Sequence, residues 1–288
     1  MIAITGASGQ LGRLVIEQLL SSTPANELIA VVRDPAKVED LAQRGVQVRR
    51  ADYGDAAALR TAFQGAGKLL LISSSEIGQR VAQHAAVIEA AKQAGVQQMV
   101  YTSLLHADRS PLGLATEHLA TEKLLAQSGL DYVLLRNGWY SENYLAALPA
   151  AFEHGVFIGS AGEGKISAAP RADYAAAAAE VLRRDDQAGR VYELAGDSGW
   201  TLTELVTEVN ALAGSHLRYQ NLSEGDYQAA LRGAGLPEGL AAMLADSDSG
   251  ASKGGLFDDT HQLSQLLGRP TTPLSHSVRQ ALSALRTR

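Results

Sequence analysis

The chain has 288 residues, enough to bury a substantial core and still build a second lobe. Its 46% hydrophobic and 19% charged residues are those of a folded globular protein and exclude extensive disorder. A net charge of −6 without any lysine- or arginine-rich run excludes a nucleic-acid binder's electrostatic footprint, and the lack of cysteine excludes disulfides, iron–sulfur clusters and thiol nucleophiles.

Short apolar runs alternate with longer helical stretches through the first half. Strands are predicted at Ile2–Thr5, Leu28–Val32, Val46–Arg49, Leu69–Ile72, Met99–Thr102 and Tyr132–Leu135. Between them the pattern predicts helices at Leu11–Leu20, Ala36–Arg44, Asp55–Phe63, Gly78–Ala94 and Leu114–Ser128. Gly45, Gly95 and Gly129 each follow a helical run and precede a strand, the grammar of a helix C-cap. Apolar strands that do not alternate with polar residues need helices on both faces, so the fold expected is α/β, a Rossmann-like doubly wound parallel sheet.

Beyond Arg136 the rhythm loosens. Gly155–Gly164 reads as loop with at most a short strand, Arg171–Arg184 as helix and Arg190–Leu194 as strand. Thr201–Ala213, Glu224–Gly233 and Gly239–Leu244 read as helices, and the polar, glycine-rich Asp246–Gly255 as irregular. The expected organisation is a first domain over residues 1–150, with 171–195 returning to its sheet. Residues 151–288 then form mainly a smaller C-terminal α/β lobe.

The first strand runs into Gly6-Ala7-Ser8-Gly9-Gln10-Leu11-Gly12, which opens a helix. Gly6 suits a tight turn, Gly9 a close approach of backbone to a pyrophosphate, and Gly12 close helix–strand packing. The helix N-terminus presents N–H groups and a positive dipole end to the phosphates. A dinucleotide is therefore expected on Gly6, Ala7, Ser8, Gly9, Gln10 and Leu11. NAD binders place an acid at the end of the second strand for the ribose 2′-hydroxyl; this chain has Arg33 there, which suits a 2′-phosphate and points to NADPH. Asp34 could pair with Arg33 or accept a ribose hydroxyl. Ser73, Ser74 and Ser75 follow the fourth strand, where hydroxyls can bond the cofactor or cap the next helix. Ser103 is a weaker candidate of the same kind, and Asp52 and Tyr53 end the third strand near the expected adenine.

With the glycine turn, Arg33 and six alternating units in view, the chain resembles the short-chain dehydrogenase/reductase superfamily in its atypical, NmrA-like branch. The similarity extends to Leu70–Ser75, Tyr101–Ala107, Leu135–Tyr144 and Gly250–Asp259, stretches that look like those of bacterial NADPH-dependent quinone reductases. That resemblance implies flavin-free, two-electron reduction of a small-molecule quinone by NADPH. It also implies further cofactor contacts from Asn137, Gly138, Trp139, Tyr140, Ser141 and Glu142, and a substrate cleft formed by Tyr140, Asn143 and Tyr144. The same aromatics could equally be core residues.

Extended members of the superfamily carry a Tyr-x-x-x-Lys pair; aligned on Glu122, this chain has Leu114 and His118 at those positions. His118 is thus a weak candidate proton donor, His106 a weaker one. The loss suits quinones, whose reduction yields a phenolate-like ion that takes its proton from water, whereas a ketone yields an alkoxide that needs a positioned acid. It suits equally an NADP(H)-sensing regulator without turnover, and weakens an epimerase reading. Asp258-Asp259 read as a helix cap, and no histidine pair has metal-ligand spacing. No leader or membrane-spanning run is read, so the cytoplasm is expected, with a homodimer one option for the apolar helix faces.

Overall fold

A computed structural model describes residues 1–286. In chain order the first half contains β1 (Ile2–Ile4), α1 (Gln10–Leu20), β2 (Leu28–Val32), α2 (Glu39–Gln43), β3 (Gln47–Arg50), α3 (Ala56–Ala62), β4 (Lys68–Leu71), α4 (Arg80–Gln93), β5 (Gln98–Leu104), α5 (Ala115–Ser128) and β6 (Asp131–Asn137). There follow α6 (Ser141–Leu145), α7 (Leu148–His154), β7 (Val156–Gly159), α8 (Arg171–Arg183), β8 (Val191–Leu194), α9 (Leu202–Ala213), β9 (Arg218–Asn221), α10 (Glu224–Gly233), α11 (Glu238–Ser252), α12 (Gln262–Leu267) and α13 (Leu274–Arg286). Each strand and helix predicted up to β6 is present, with ends shifted by a few residues.

The chain divides into two compact units. The first comprises Met1–Leu104, Thr116–Asn137 and Tyr174–Tyr192; the second comprises Leu105–Ala115, Gly138–Asp173 and the chain from Glu193 onward. The boundary after β6 thus falls at Asn137, and residues 138–150 cluster with the second unit. Among the described residues, no helix is long and apolar enough to cross a membrane.

In the first unit the sheet order is β3-β2-β1-β4-β5-β6, with β8 added at the β6 edge. Neighbouring strands run parallel, in registers such as Ile4 opposite Ala30 and Leu70. The order reverses between β1 and β4, so the crevice beyond their carboxyl ends is where a ligand is held in sheets of this kind. Every residue of β2 and β5 is buried, because helices cover both faces. One face gathers Ala3, Ile29, Val31, Leu69, Leu71, Met99, Tyr101 and Leu134 against Leu59, Phe63, Val87 and Leu125 from the helices. Gly45, Gly95 and Gly129 all adopt positive φ, as the predicted caps require.

The second unit holds a two-stranded parallel sheet, β7 with β9, and several helices. Two expectations fail here. Asp246–Gly255 is not irregular: most of it belongs to α11, whose inner face carries Ala241, Ala245, Asp248 and Ala251. Asp248 is buried because Tyr144 Oη (2.8 Å) and the Ser160 N–H (2.9 Å) both donate to its carboxylate. A glycine at 250 leaves room for Leu112, whose Cδ1 would lie 2.6 Å from a Cβ there and would have to shift. Asp258 does not cap a helix; its Oδ1 accepts the Thr260 N–H (2.9 Å) and hydroxyl (2.6 Å), and α12 begins later, after His261. The polar strand β9 and the helices α6, α7, α12 and α13 were not predicted.

Candidate functional site

The turn after β1 gives the first unit its most distinctive local geometry. Gly6 has φ +59°, which a residue with a side chain rarely adopts. A Cβ at Gly12 would lie 2.5 Å from the Gly6 carbonyl oxygen and 2.8 Å from Ala7 Cα, so only glycine lets α1 close on the turn. Helix α1 starts after Gly9 with no side chain capping it and no acid in its first turn. Its leading N–H groups therefore remain available to an anion.

A cavity opens beside this turn. It has a volume of about 240 Å³, and its lining includes Gly6, Ser8, Gly9, Arg33, Tyr53 and Ser73. Asp52, Ser74, Ser75, Glu76 and Gln83 also line it, with Val31, Val32, Ala51 and Ile72 as its apolar wall. Apart from Gln83 on α4, the walls come from the carboxyl ends of strands β1 to β4 and the segments that follow them, as the switch point requires. Ala7 and Leu11 sit behind the surface: Ala7 is fully buried, its N–H reaching Val31 O at 3.3 Å, and Leu11 packs in the core. Gln10 is exposed at the first turn of α1.

Thr5 ties the floor together. Its hydroxyl donates to Leu70 O (3.1 Å) and accepts the Ile72 N–H (3.0 Å), and it lies 2.6 Å from Tyr53 Oη, which also lies 2.8 Å from Ile72 O. Burial pushes the Tyr53 phenol above its ordinary value, so it stays a neutral hydrogen-bonding group. Arg33 Nη1 meets Glu76 Oε1 at 3.1 Å, while Asp34 does not pair with Arg33: its Oδ1 accepts the Ala36 N–H at 3.1 Å.

The loop after β4 is clamped from inside. The Ser73 N–H donates to Thr102 Oγ1 (2.9 Å). The Ser74 N–H donates to His84 Nε2 (2.9 Å), and Arg80 Nε donates to Ser74 O (2.8 Å). Because Nε2 accepts, His84 carries its proton on Nδ1 and gives it to Thr121 Oγ1 at 2.9 Å. Burial first, and the Arg80 charge second, push His84 down to about 3, so it is neutral. Arg80 also pairs with Glu117 at 3.0 Å. Ser103 lies outside the cavity lining and donates to Glu122 Oε1 (2.5 Å) inside the first unit.

His118 is not placed as an acid. It is buried on α5 and shares a 2.7 Å hydrogen bond between Nδ1 and Tyr101 Oη. Burial, with Arg80 and His84 adding to it, pushes it down to about 3, so near neutral pH it has no extra proton to give. His106 is engaged within the second unit, its N–H on Glu193 (2.8 Å) and its Nε2 3.3 Å from Asp258 Oδ2.

Asn137 ends β6 in the first unit, buried, and its Oδ1 has no hydrogen-bond partner among the described residues. The other residues of this stretch belong to the second unit. There the Gly138 N–H reaches Leu194 O (2.7 Å), Ser141 N–H reaches Ala169 O (3.0 Å), and Trp139 is buried. Arg171 organises three of the candidates. Its guanidinium lies 4.4 Å over the Tyr140 ring, its Nη2 donates to Asn143 Oδ1 (2.8 Å), and its N–H donates to Glu142 (3.0 Å). Tyr144 is buried on Asp248, edge-on to Trp200 at 5.7 Å. Sequence reasoning missed Glu76, Gln83 and Thr5. Thr5 had a signal, a hydroxyl residue at the end of the first strand; Glu76 and Gln83 had none.

A sequence model described as NAD(P)H-binding matches residues 6–185, which contain the glycine turn, Arg33 and the whole cavity. The chain belongs to this NAD(P)H-binding family. Quinone oxidoreductase 2 of Escherichia coli (strain K12) is 66% identical to this NAD(P)H-binding protein over 278 residues, 96% of this chain and 97% of its own. A crystal structure of NADPH-dependent quinone oxidoreductase from Escherichia coli, complexed with NADPH, superposes with a TM-score of 0.96 at 64% identity, covering 98% of this chain and 100% of that one. Triphenylmethane reductase of Citrobacter sp., complexed with NADP(H), superposes with a TM-score of 0.94 at 37% identity, with the same coverage.

Proposed function

We propose that this protein is an NADPH-dependent reductase that passes a hydride to quinones without a flavin. The observation that carries this reading is the near-full-length match, at 66% identity, to a quinone oxidoreductase. The residues present fit the cofactor. A glycine cradle with an uncapped helix N-terminus suits a pyrophosphate, and Arg33 in the same cavity suits a 2′-phosphate. Ser73, Ser74 and Ser75 line the cavity with hydroxyls that can bond the ribose and phosphates. The unpartnered Asn137 Oδ1 suits an amide N–H such as a carboxamide offers. When bound, NADPH supplies the hydride from its nicotinamide ring.

The chain's own contribution is position, with no proton donor at the Tyr-x-x-x-Lys positions. Leu114 cannot donate, and His118 is buried, neutral and engaged with Tyr101. A quinone tolerates this. Its reduced form leaves as a phenolate-like monoanion whose conjugate acid has a pKa of about 10, like tyrosine, and takes its one remaining proton from water. A ketone does not, because an alkoxide requires an acid at the moment it forms. In the second unit, Tyr140 and Asn143, both held by Arg171, and Tyr144 are the proposed acceptor contacts. Gly138 to Glu142 are carried as further cofactor contacts on the family resemblance.

The test follows NADPH oxidation with a benzoquinone, a naphthoquinone and a plain ketone, with NADH in parallel. Saturable turnover of the quinones, faster with NADPH and negligible with the ketone, is the expected outcome. Tight NADPH binding without reduction of any quinone above the uncatalysed rate would sink the reading.

A further inference from the structure

We infer that Glu76 is a specificity-determining residue of the cofactor site, an acid held opposite Arg33 that tempers the preference for a 2′-phosphorylated nucleotide. The inference rests on the reading of Arg33 as the 2′-phosphate partner. It begins with how firmly the Glu76 carboxylate is presented. Ser74 is gripped at both its N–H and its carbonyl by the buried side chains of His84 and Arg80. Ser74 Oγ then accepts the Glu76 N–H at 3.1 Å, and the Gly78 N–H donates to Glu117 Oε1 at 3.0 Å. The backbone is thus tied on both sides of Glu76. The carboxylate itself is held by Gln83, whose Nε2 donates to Oε2 at 2.8 Å. Only the other oxygen, Oε1, is spent on Arg33.

Three consequences follow from this arrangement. A 2′-phosphate must take the Arg33 Nη1 donor away from Glu76. Because Gln83 and the clamped loop hold Glu76 independently of Arg33, the displaced carboxylate stays in the cavity wall, and like charges repel. A nucleotide with a free 2′-hydroxyl meets no such repulsion and finds an acceptor of the type that NAD binders carry at the end of the second strand. Here the acid comes from the loop after β4 instead, across the β1–β4 switch point. Arg33 and Glu76 are both substantially exposed, 70% and 49% by side chain, so solvent screens the effect to a several-fold change.

The experiment is calorimetric titration of the whole protein with 2′,5′-ADP and 5′-AMP, without any acceptor, for wild type, Glu76→Gln, Arg33→Ala and the double variant. Glu76→Gln should tighten 2′,5′-ADP by about threefold to tenfold at low ionic strength, less at high salt, and leave 5′-AMP unchanged or weaker. In the Arg33→Ala background the 2′,5′-ADP gain should shrink, since the competition for Arg33 is gone. Unchanged 2′,5′-ADP binding in Glu76→Gln, or weakening of both nucleotides alike, overturns the inference. If Arg33→Ala binds 2′,5′-ADP as tightly as wild type, the phosphate reading of Arg33 fails, and this inference with it. An Arg33 effect beside a silent Glu76 removes this inference alone.

Discussion

Two arginine–glutamate pairs in the first unit use the same chemistry in opposite surroundings. Arg136 grips Glu122 with two parallel hydrogen bonds, Nε to Oε1 at 3.0 Å and Nη2 to Oε2 at 2.7 Å, and Ser103 adds a third donor to the same carboxylate. Both side chains are buried. Arg33 touches Glu76 through one contact at 3.1 Å, largely in solvent. In the interior each charge depends on the other, because neither has water to fall back on. In the cavity either charge can exchange its partner for water or a ligand at small cost. The buried pair is therefore built to hold β6 to α5, and the exposed pair to be opened by what binds.

The largest effect should come from breaking the buried pair. Glu122→Ala should lower unfolding stability by about 3–5 kcal/mol, read from the denaturant midpoint, because it takes the carboxylate and two hydrogen bonds away from the buried Arg136 guanidinium. Replacing both residues with apolar ones of similar volume should recover much of that loss. A cost below about 1 kcal/mol for Glu122→Ala would erase the distinction between the two pairs.

Removing the exposed arginine should act on the ligand and spare the fold. Arg33→Ala should weaken NADPH binding about tenfold to a hundredfold, the range of 1.5–3 kcal/mol for hydrogen bonds to a charged group. NADH binding should barely move. Equal losses for both nucleotides in a fluorescence titration would make Arg33 a general phosphate contact and leave the discrimination to another residue.

What the sequence made legible follows this division. The alternation of apolar strands and helices, the glycine turn and Arg33 depend on local pattern, and all were readable from short stretches. Glu76 was not, because its pairing with Arg33 joins residues 43 apart through the β1–β4 switch. Helix α11 was hidden for a related reason. Its aspartate at 248 looks solvated until Tyr144 and Ser160 supply partners, and its glycine at 250 looks like a loop residue until Leu112 occupies the space of a Cβ. Asn137 and Tyr144 were readable as positions in a motif, but their partners, or lack of one, were not.

The clamp behind the cavity adds a third test, of buried groups that carry no charge. His84 and His118 are both pushed down to about 3 from an ordinary 6.5, mainly by burial. Their depressed values mean that the unfolded chain binds more protons than the folded one between about pH 6.5 and pH 3. Stability is therefore complete above that window and falls as pH drops through it, by about 1.4 kcal/mol per pH unit for each histidine. Denaturant midpoints measured from pH 7 down to pH 4 should show this slope, and His84→Gln should flatten it by one histidine's share. An unchanged slope in that variant would mean that His84 titrates normally and that the Ser74 loop is looser than its hydrogen bonds suggest.

The smallest effect sharpens the comparison most. Glu76→Gln should shift unfolding stability by less than about 1 kcal/mol, the ordinary worth of an exposed ion pair. Glutamine keeps the side-chain length; with its oxygen on Arg33, its NH2 faces Gln83, whose amide can turn to accept it, and the loop stays fixed by His84 and Arg80 on the buried side. Thermal unfolding without nucleotide should then superimpose closely on wild type, and a difference should emerge only when 2′,5′-ADP is added, through its altered affinity. A large loss of stability in the nucleotide-free protein would mean that the exposed pair holds the loop as the buried pair holds β6. The cavity would then be a rigid wall, with recognition resting on Arg33 alone.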